Sequence, residues 1–580
     1  MSIVTDALKK YRRLALESDV YSFTFVGLMV IGLALRLWGI SMTSQTSAID
    51  SPLSDDAYYY FSLGRNLAGG RGPYVDGLHV TTGFQPLWGA LVGLAFGLTE
   101  NNATAILAAQ LIGTLAGLVT AALLYGLAQD LSNSKKLALL LVMWQLLSPQ
   151  AVTSSLNGME TSLAICSVMA VFYSLKGLFT GSSGRHGFMT GLLCGVAILS
   201  RVDALILLGS VLIVLGYRWI RRTGLWDAPG RMQLKQLAVL GVGAGLPLIP
   251  WLSFTLALGK PLMPESGAAV RIITLLSHEL PLYSFITSLG TEPALFLSYY
   301  GEQLLIFIAT WSQQSTLLLP LTLPLYLLEN MLLRLSLAAI LGLGTGLGVM
   351  VWASSHGSAL QRGVVAVWAL YMAGTILAYS AVVLGTWFYA RYVAPLELPF
   401  SVLALSILWR QLASGQARSD LLKKWLNLSS FAYGATVSAM LLVLYSFGTY
   451  HWLIAGPAAL PKDGFYEATQ WLNEHVPASS RVGAFQSGFI GYYARPVVIN
   501  LDGKVNAGVR PALINGEMWN YVCQTGLEYI VDRPFLIDHF LIQRSLAGWR
   551  DDNLSMAYQH RNNFGGMQIY RVNRANCPPS

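Results

Sequence analysis

Two adjacent carboxylates, Asp55 and Asp56, open the polar stretch DDAYYYFSLGRNLAGGRG (55–72). They stand at the start of a helical pattern, where the positive end of the helix dipole favours negative side chains. Ser54 or an Asp in that position would serve as a plain helix cap. The pair would equally serve catalysis. A hydroxyl that attacks an electrophilic carbon must shed its proton, and an ionised carboxylate outside the membrane can accept it. A second carboxylate alongside can position the attacking group, or hold a divalent ion (Mg, Mn or Ca) through oxygen. Further charged residues, among them Glu160, Arg201, Asp203, Lys260, Arg271 and Arg391, lie in polar segments between apolar runs. Charges are costly near lipid, and where they persist they tend to mark function. Acids and bases are mixed in these segments, which suits a site that removes a proton and also binds a phosphate.

The elements that must position these residues are helices in a bilayer. The chain has 580 residues, of which 54% are hydrophobic and 11% charged. Its mean hydropathy is +0.52. Soluble domains carry roughly 25% charged residues, so a soluble enzyme, a disordered chain and a coiled coil are excluded. Four cysteines exclude a disulfide scaffold. The net charge of +8 gathers in short clusters at 9–13 and 218–235, beside apolar segments. That is the pattern of cytoplasmic loops and not of a nucleic-acid partner. The first apolar run is long enough to be a permanent span.

A span needs roughly 20 apolar residues. The hydropathy pattern predicts about 13 spans, within 11–14: 20–41, 104–128, 136–153, 161–180, 187–200, 203–217, 236–258, 295–312, 315–333, 336–355, 363–385, 392–409 and 429–450. The short pair 187–200 and 203–217 reads either as two spans or as one broken helix. With residues 1–19 in the cytoplasm, the basic clusters all fall inside if every segment crosses and 86–99 stays at the interface. The segments 42–85, 154–160, 201–203, 259–294 and 386–391 then share the external face. Composition shifts near residue 460: the last 121 residues carry 21 charges. The expected division is a transmembrane body at 1–459 and a small extracytoplasmic α/β domain at 460–580. In that domain a helix is expected at 464–476 and strands at 481–485, 496–501, 527–532 and 567–572. Cys523 and Cys577 would then face an oxidising side and be able to pair, while Cys166 and Cys194 stay free thiols in spans. The 36 residues 259–294 are expected to form a long outer loop over a cavity that gathers the 42–85 loop and Glu160.

Several short pieces carry a resemblance: DDAYYYFSLGRNLAGGRG (55–72), TTGFQPLWG (81–89), SSLNGMETSL (154–163), GLLCGVAILSRVDAL (191–205), GKPLMPESGAAVR (259–271), FYARYVAP (388–395) and NLDGKVN (500–506). In this order and spacing the chain resembles the GT-C superfamily of membrane glycosyltransferases, in particular its mannosyltransferase-like and mycobacterial arabinofuranosyltransferase-like branch. The resemblance implies a polyprenyl-phosphate-linked sugar as donor, a glycan, lipid or protein acceptor, and inversion at the sugar carbon. It implies Asp55 as the base, with Asp56 as the alternative, and Glu160 as a second acidic residue. Where relatives have a Lys or His before the Pro of the PLW segment, this chain has Gln85, with His79 six residues earlier. Where similar chains carry a Lys after P-x-S-x-A, Val270 stands, with Arg271 next. Arg gives bidentate hydrogen bonds to phosphate and Lys a point charge, so Arg271, Lys260, Arg391 and Arg201 are the candidate phosphate cations. For Arg391 a snorkelling residue, for Arg201 an ion pair with Asp203, and for Lys260 a plain loop cation are the structural alternatives. Tyr58, Tyr59 and Trp88 read either as an interfacial belt or as rings that meet sugar or prenyl chain.

Two other functions compete. A secondary transporter would show internal repeats and mid-membrane breaks, and neither is evident. A lipid-linked glycan ligase or polymerase would share the architecture without the acidic pair.

Overall fold

The computed structural model describes residues 20–45, 53–99, 101–180, 184–222, 228–277, 293–314, 331–383, 389–413, 464–546, 548–560 and 566–578. The expected span 429–450, most of 315–333 and the boundary at 459/460 lie outside the described residues. The first part of the chain is helical: α1 (Val20–Gln45), α2 (Asp55–Ala68), α3 (Pro86–Gly97), α4 (Asn102–Ser132), α5 (Lys135–Leu147), α6 (Pro149–Leu156), α7 (Thr161–Thr180), α8 (Gly184–Ser200), α9 (Leu205–Arg222), α10 (Ala228–Ala257), α11 (Glu265–Ser277), α12 (Pro293–Gln314), α13 (Met331–His356), α14 (Ala359–Leu377) and α15 (Tyr389–Ala413). Among the described residues, eight helices are long and apolar enough to cross a membrane, or nine if the pair α5–α6, bent by 53°, is one span. The chain is thus a multi-pass helical membrane protein. The count of 13 is not reached among these residues: α8, for one, has only 17 residues. α3 is a short apolar helix of 12 residues opened by Pro86.

The breaks between helices have local causes. Pro149 cannot continue α5, so the chain turns at Ser148, whose side chain caps α6. Arg36, wholly buried in α1, bridges the two helices at this break. It donates to Leu146 O at 2.9 Å and to Ser155 Oγ at 3.1 Å. α8 ends at Ser200. Arg201 is extended, and one 3-10 turn, Val202–Ala204, leads into α9. The expected pair 187–200 and 203–217 is therefore two helices.

α8 and α10 pack through glycine. A Cβ on Gly187 would meet Gln236 O, one on Gly191 would meet Leu240 O, and one on Gly195 would meet Ala244 O. These pairs ascend along both helices, so α8 and α10 run parallel. α9 must then return across the bundle between them.

Beyond residue 463 the described chain forms α16 (Phe465–His475), β1 (Arg481–Ala484), α17 (Gly488–Tyr493), β2 (Val497–Asn500), α18 (Arg510–Asn515), α19 (Met518–Gln524), β3 (Tyr529–Asp532), β4 (Leu554–His560) and β5 (Met567–Val572). The sheet order is β2-β1-β3-β5-β4. β1 pairs parallel with β2 and β3; β5 pairs antiparallel with β3 and β4. Four strands lie where the apolar runs predict them. β4 was not expected: it is an edge strand whose side chains are mostly exposed, so it lacks an alternating apolar signal. Cys523 and Cys577 are disulfide-bonded, with Cα atoms 5.5 Å apart. Cys166 and Cys194 are free thiols.

The expected outer loop differs. Residues 265–277 form α11, and 278–292 lie outside the described residues. The run AAVRIITLL gives α11 an apolar face. Ile272, Ile273 and Leu276 pack into the sheet domain's core beside Phe485, Leu513 and Phe540.

Candidate active site

A cavity of about 570 Å³ lies where α2, the turn 201–206, the segment 261–271 and the start of α15 meet the sheet domain. The segments expected to share one face converge here: Asp56, Glu160, Arg201, Arg271 and Arg391 all line it. Tyr59 and Gln85 line it as well.

Asp56 is the carboxylate of the acidic pair that faces the cavity, with 21% of its side chain exposed. Its Oδ2 is 3.4 Å from Arg391 Nη1, and its Oδ1 is 3.5 Å from Lys504 Nζ. Burial opposes ionisation of Asp56, but Lys504 and Arg391 outweigh it and hold the carboxyl below the usual carboxylate range. Asp55 turns the other way. Its Oδ1 accepts the Phe489 N–H at 2.7 Å, at the start of α17. Burial pushes its carboxyl up to about 7, against the Phe489 N–H, with Asp56 adding to the rise and Lys504 opposing it. Successive side chains on a helix point about 100° apart, so neighbours in sequence reach different surroundings.

Glu160 is buried. It accepts the Tyr60 hydroxyl at 3.3 Å and lies 4.0 Å from Arg201 Nη1. Trp88, also buried, donates to Gly158 O at 3.0 Å and so holds the loop that carries Glu160. The guanidinium of Arg201 forks onto Asp203, at 3.2 and 2.6 Å, and donates to Arg391 O at 3.2 Å. Tyr379 donates its hydroxyl to Asp203 at 2.5 Å. Its ring stacks on Tyr392 with centroids 4.0 Å apart, and Arg201 lies 4.8 Å over the Tyr392 ring. This cluster fixes the start of α15, and with it Arg391. One flank of the cavity is apolar: Leu205, Ile206, Met263, Ala378 and Val383. Leu205 and Met263 are 46% and 54% exposed.

Several expected site residues do other work. Tyr58 is buried against Phe489, Tyr492 and Tyr493, with ring centroids 5.1–5.6 Å away. His79 pairs with Asp76 at 2.6 Å. Lys260 pairs with Glu265 at 3.1 Å. None of these, nor Asp55 or Trp88, lines the cavity. Gln85 does line it, but its side-chain Oε1 accepts the Val202 N–H at 3.1 Å, so it supports the turn that carries Arg201. Lys504, Arg510, Tyr379 and Tyr392 are lining residues that the sequence reading did not assign. Lys504 lies in the singled-out NLDGKVN and Tyr392 in FYARYVAP; their type and segment were visible, their direction was not.

The donor set does not fit a divalent ion. Among the described residues no three His, Cys, Asp or Glu side chains gather as metal ligands. Each carboxylate on the cavity already faces a cation: Asp56 faces Arg391 and Lys504, Glu160 and Asp203 face Arg201, and Glu265 faces Lys260. The expected ligand trio of Asp55, Asp56 and Glu160 is split, because Asp55 points into the sheet domain.

The fold resembles that of the GT-C superfamily of membrane glycosyltransferases. The comparisons agree. Residues 85–254 match the family model of dolichyl-phosphate-mannose-protein mannosyltransferases. Residues 458–573 match that of a domain of unknown function (DUF8728). The oligosaccharyltransferase of Archaeoglobus fulgidus, in a complex with Zn and sulfate, superimposes with a TM-score of 0.53 at 13% identity, over 95% of this chain and 74% of that one. AglB of the same organism, with an inhibitory peptide and a dolichol-phosphate, gives 0.50 at 13%, over 96% and 75%. ArnT of Cupriavidus metallidurans, bound to undecaprenyl phosphate, gives 0.51 at 14%, over 97% and 100%. No curated protein sequence matches. At these identities the structures show a shared fold, over nearly the whole chain.

Proposed function

We propose that the protein transfers a sugar from a polyprenyl-phosphate-linked donor to an acceptor hydroxyl, in one inverting displacement, on the extracytoplasmic side. One observation carries this reading: the Asp56 carboxylate, 3.4 Å from Arg391, in a cavity with an apolar flank. The flank of Leu205, Ile206, Ala378 and Val383 suits a prenyl chain, and Arg391, Arg201 and Arg271 suit its phosphate. The dolichol-phosphate and undecaprenyl phosphate held by the AglB and ArnT structures support that assignment. Asp56 is the base in preference to Asp55. The acceptor O–H passes its proton to Asp56, the oxygen attacks the anomeric carbon, and the bond from that carbon to the phosphate oxygen breaks. The lipid phosphate leaves with the electron pair, and guanidiniums set in place beforehand stabilise its growing charge. As phosphate engages Arg391, Asp56 loses part of its counter-charge and becomes a stronger base.

In this reading residues 1–459 are the transmembrane catalytic body, residues 460–580 an extracytoplasmic domain, and the N-terminus is cytoplasmic. The Cys523–Cys577 disulfide supports that sidedness.

The test uses purified protein in nanodiscs with undecaprenyl phosphate and a panel of polyprenyl-phosphate sugars. Asp56→Ala is expected to lose ~10²–10⁴-fold in turnover while still binding undecaprenyl phosphate. Arg391→Ala is expected to weaken that binding. Wild-type turnover in Asp56→Ala would sink the reading.

A further inference from the structure

Lys504 comes from the sheet domain, yet it reaches the carboxylate on α2. Its Nζ is 3.5 Å from Asp56 and 3.2 Å from Asp502. The segment that carries it is tied to itself: Gly503 N–H donates to Asn500 Oδ1, Lys504 N–H to Asp502 Oδ1, and the Asn506 amide to Asn500 O. Gly503 takes φ +80, which glycine alone adopts without strain. The segment is also pressed onto the membrane body. A Cβ on Gly83 would collide with Lys504 O. Arg510 spans the seam, donating to Gly503 O at 2.9 Å and to Glu265 O at 2.6 Å. A lysine with an 81% buried side chain is thus delivered to Asp56 by a rigid turn with two independent anchors.

We propose that Lys504 is a positioning residue for the transfer, holding the Asp56 carboxylate in place and charged while the donor phosphate draws Arg391 away. This rests on the transferase reading. Arg391 is the partner that a phosphate can take, because it approaches from the membrane body, which also forms the apolar flank. Lys504 approaches from the sheet domain and is tethered by Asp502 at 3.2 Å, so it stays. The base keeps one cation through the cycle, and the sheet domain becomes part of the catalytic unit. The charged and titratable groups facing this pair are Asp55 and Tyr59 on α2, Arg391 on α15 and Asp502 beside Lys504.

Infrared difference titration of the full chain in nanodiscs tests this without a substrate. The Asp56 acid C=O band is identified by its loss in Asp56→Asn. Lys504→Met is expected to move its midpoint up by about 1–2 pH units, and Lys504→Arg to restore it. Asp502→Asn keeps the turn's acceptor and leaves the ammonium to Asp56, so the midpoint should move down. An unmoved midpoint in Lys504→Met overturns the proposal. So does an upward move in Asp502→Asn, which decides the matter if Lys504→Met does not fold. In turnover assays the acid limb of the rate profile should follow the same shifts. If no form transfers sugar, wild type included, the transferase reading falls while the hold of Lys504 on Asp56 stands on the titration.

Discussion

Asp55 and Asp56 are adjacent in sequence and opposite in use. Asp56 keeps its charge because Lys504 and Arg391 face it. Asp55 meets a backbone N–H of α17 in a crowded seam: a Cβ on Gly488 would strike the Asp55 carbonyl. Burial raises the Asp55 carboxyl to about 7, from ~3.9 in an unfolded chain. The folded state therefore holds this proton more tightly. Docking of α17 on α2 should be firmest below pH ~4 and weaken as pH rises from ~4 to ~7. Asp55→Asn keeps the acceptor and removes the charge, so it should flatten that dependence. Hydrogen exchange of the amides at 485–493, measured across this range, checks it; an equally steep dependence in Asp55→Asn would refute the account. Gly83→Ala belongs to the same scale. The added methyl must push Lys504 O away, and turnover should fall with little change in overall fold.

At the scale of elements, the α8–α10 pair decides where Arg201 stands. Gly187, Gly191 and Gly195 let the α10 backbone come into direct contact, and Gly243 of α10 answers against Phe188 O. Membrane helices associate through such packing, since lipid offers no hydrophobic drive between them. Gly191→Leu should cost about 1–3 kcal/mol or more and lower the melting temperature in detergent. Gly209→Ala on α9, where a Cβ meets nothing within 4 Å, should be neutral. Equal losses in both would show that the close approach is not what the glycines serve. The break after α8 follows from the same geometry. Arg201 and Asp203 pair in the turn, so the chain reverses where two charges satisfy each other beside the cavity.

Across the whole molecule, the helical body and the sheet domain share one site. Asp56, Glu160 and Arg391 come from the body, Lys504 and Arg510 from the sheet domain, and α11 packs on both. The Cys523–Cys577 bridge spans 54 residues and ties the end of the chain to α19. In the chain-entropy account, closing such a loop contributes roughly 4 kcal/mol. Cys577→Ser should therefore lower the unfolding midpoint of the sheet domain, and turnover should fall with it as Lys504 loses its support. Differential scanning fluorimetry with parallel turnover assays would show whether the two losses coincide.

The chain's low charge and long apolar runs were enough to establish a multi-pass helical protein, because lipid admits few other structures. Short motifs carried the GT-C resemblance, and apolar runs located four of the five strands. The edge strand β4 left no mark, since exposed residues carry no periodicity. Charge in polar segments also pointed to Asp56, Glu160, Arg201, Arg271 and Arg391 as neighbours of one cavity. It did not separate Asp56 from Asp55, because residue type says nothing of direction on a helix. Nor did it assign Lys504, which lies 448 positions from Asp56 and reaches it through the packing of the 500–506 turn on Gly83 and the Arg510 bridge to Glu265. Hydropathy and motif are local properties and are written along the chain. Which carboxylate meets which cation is a property of packed surfaces, and only the tertiary structure brings those surfaces together.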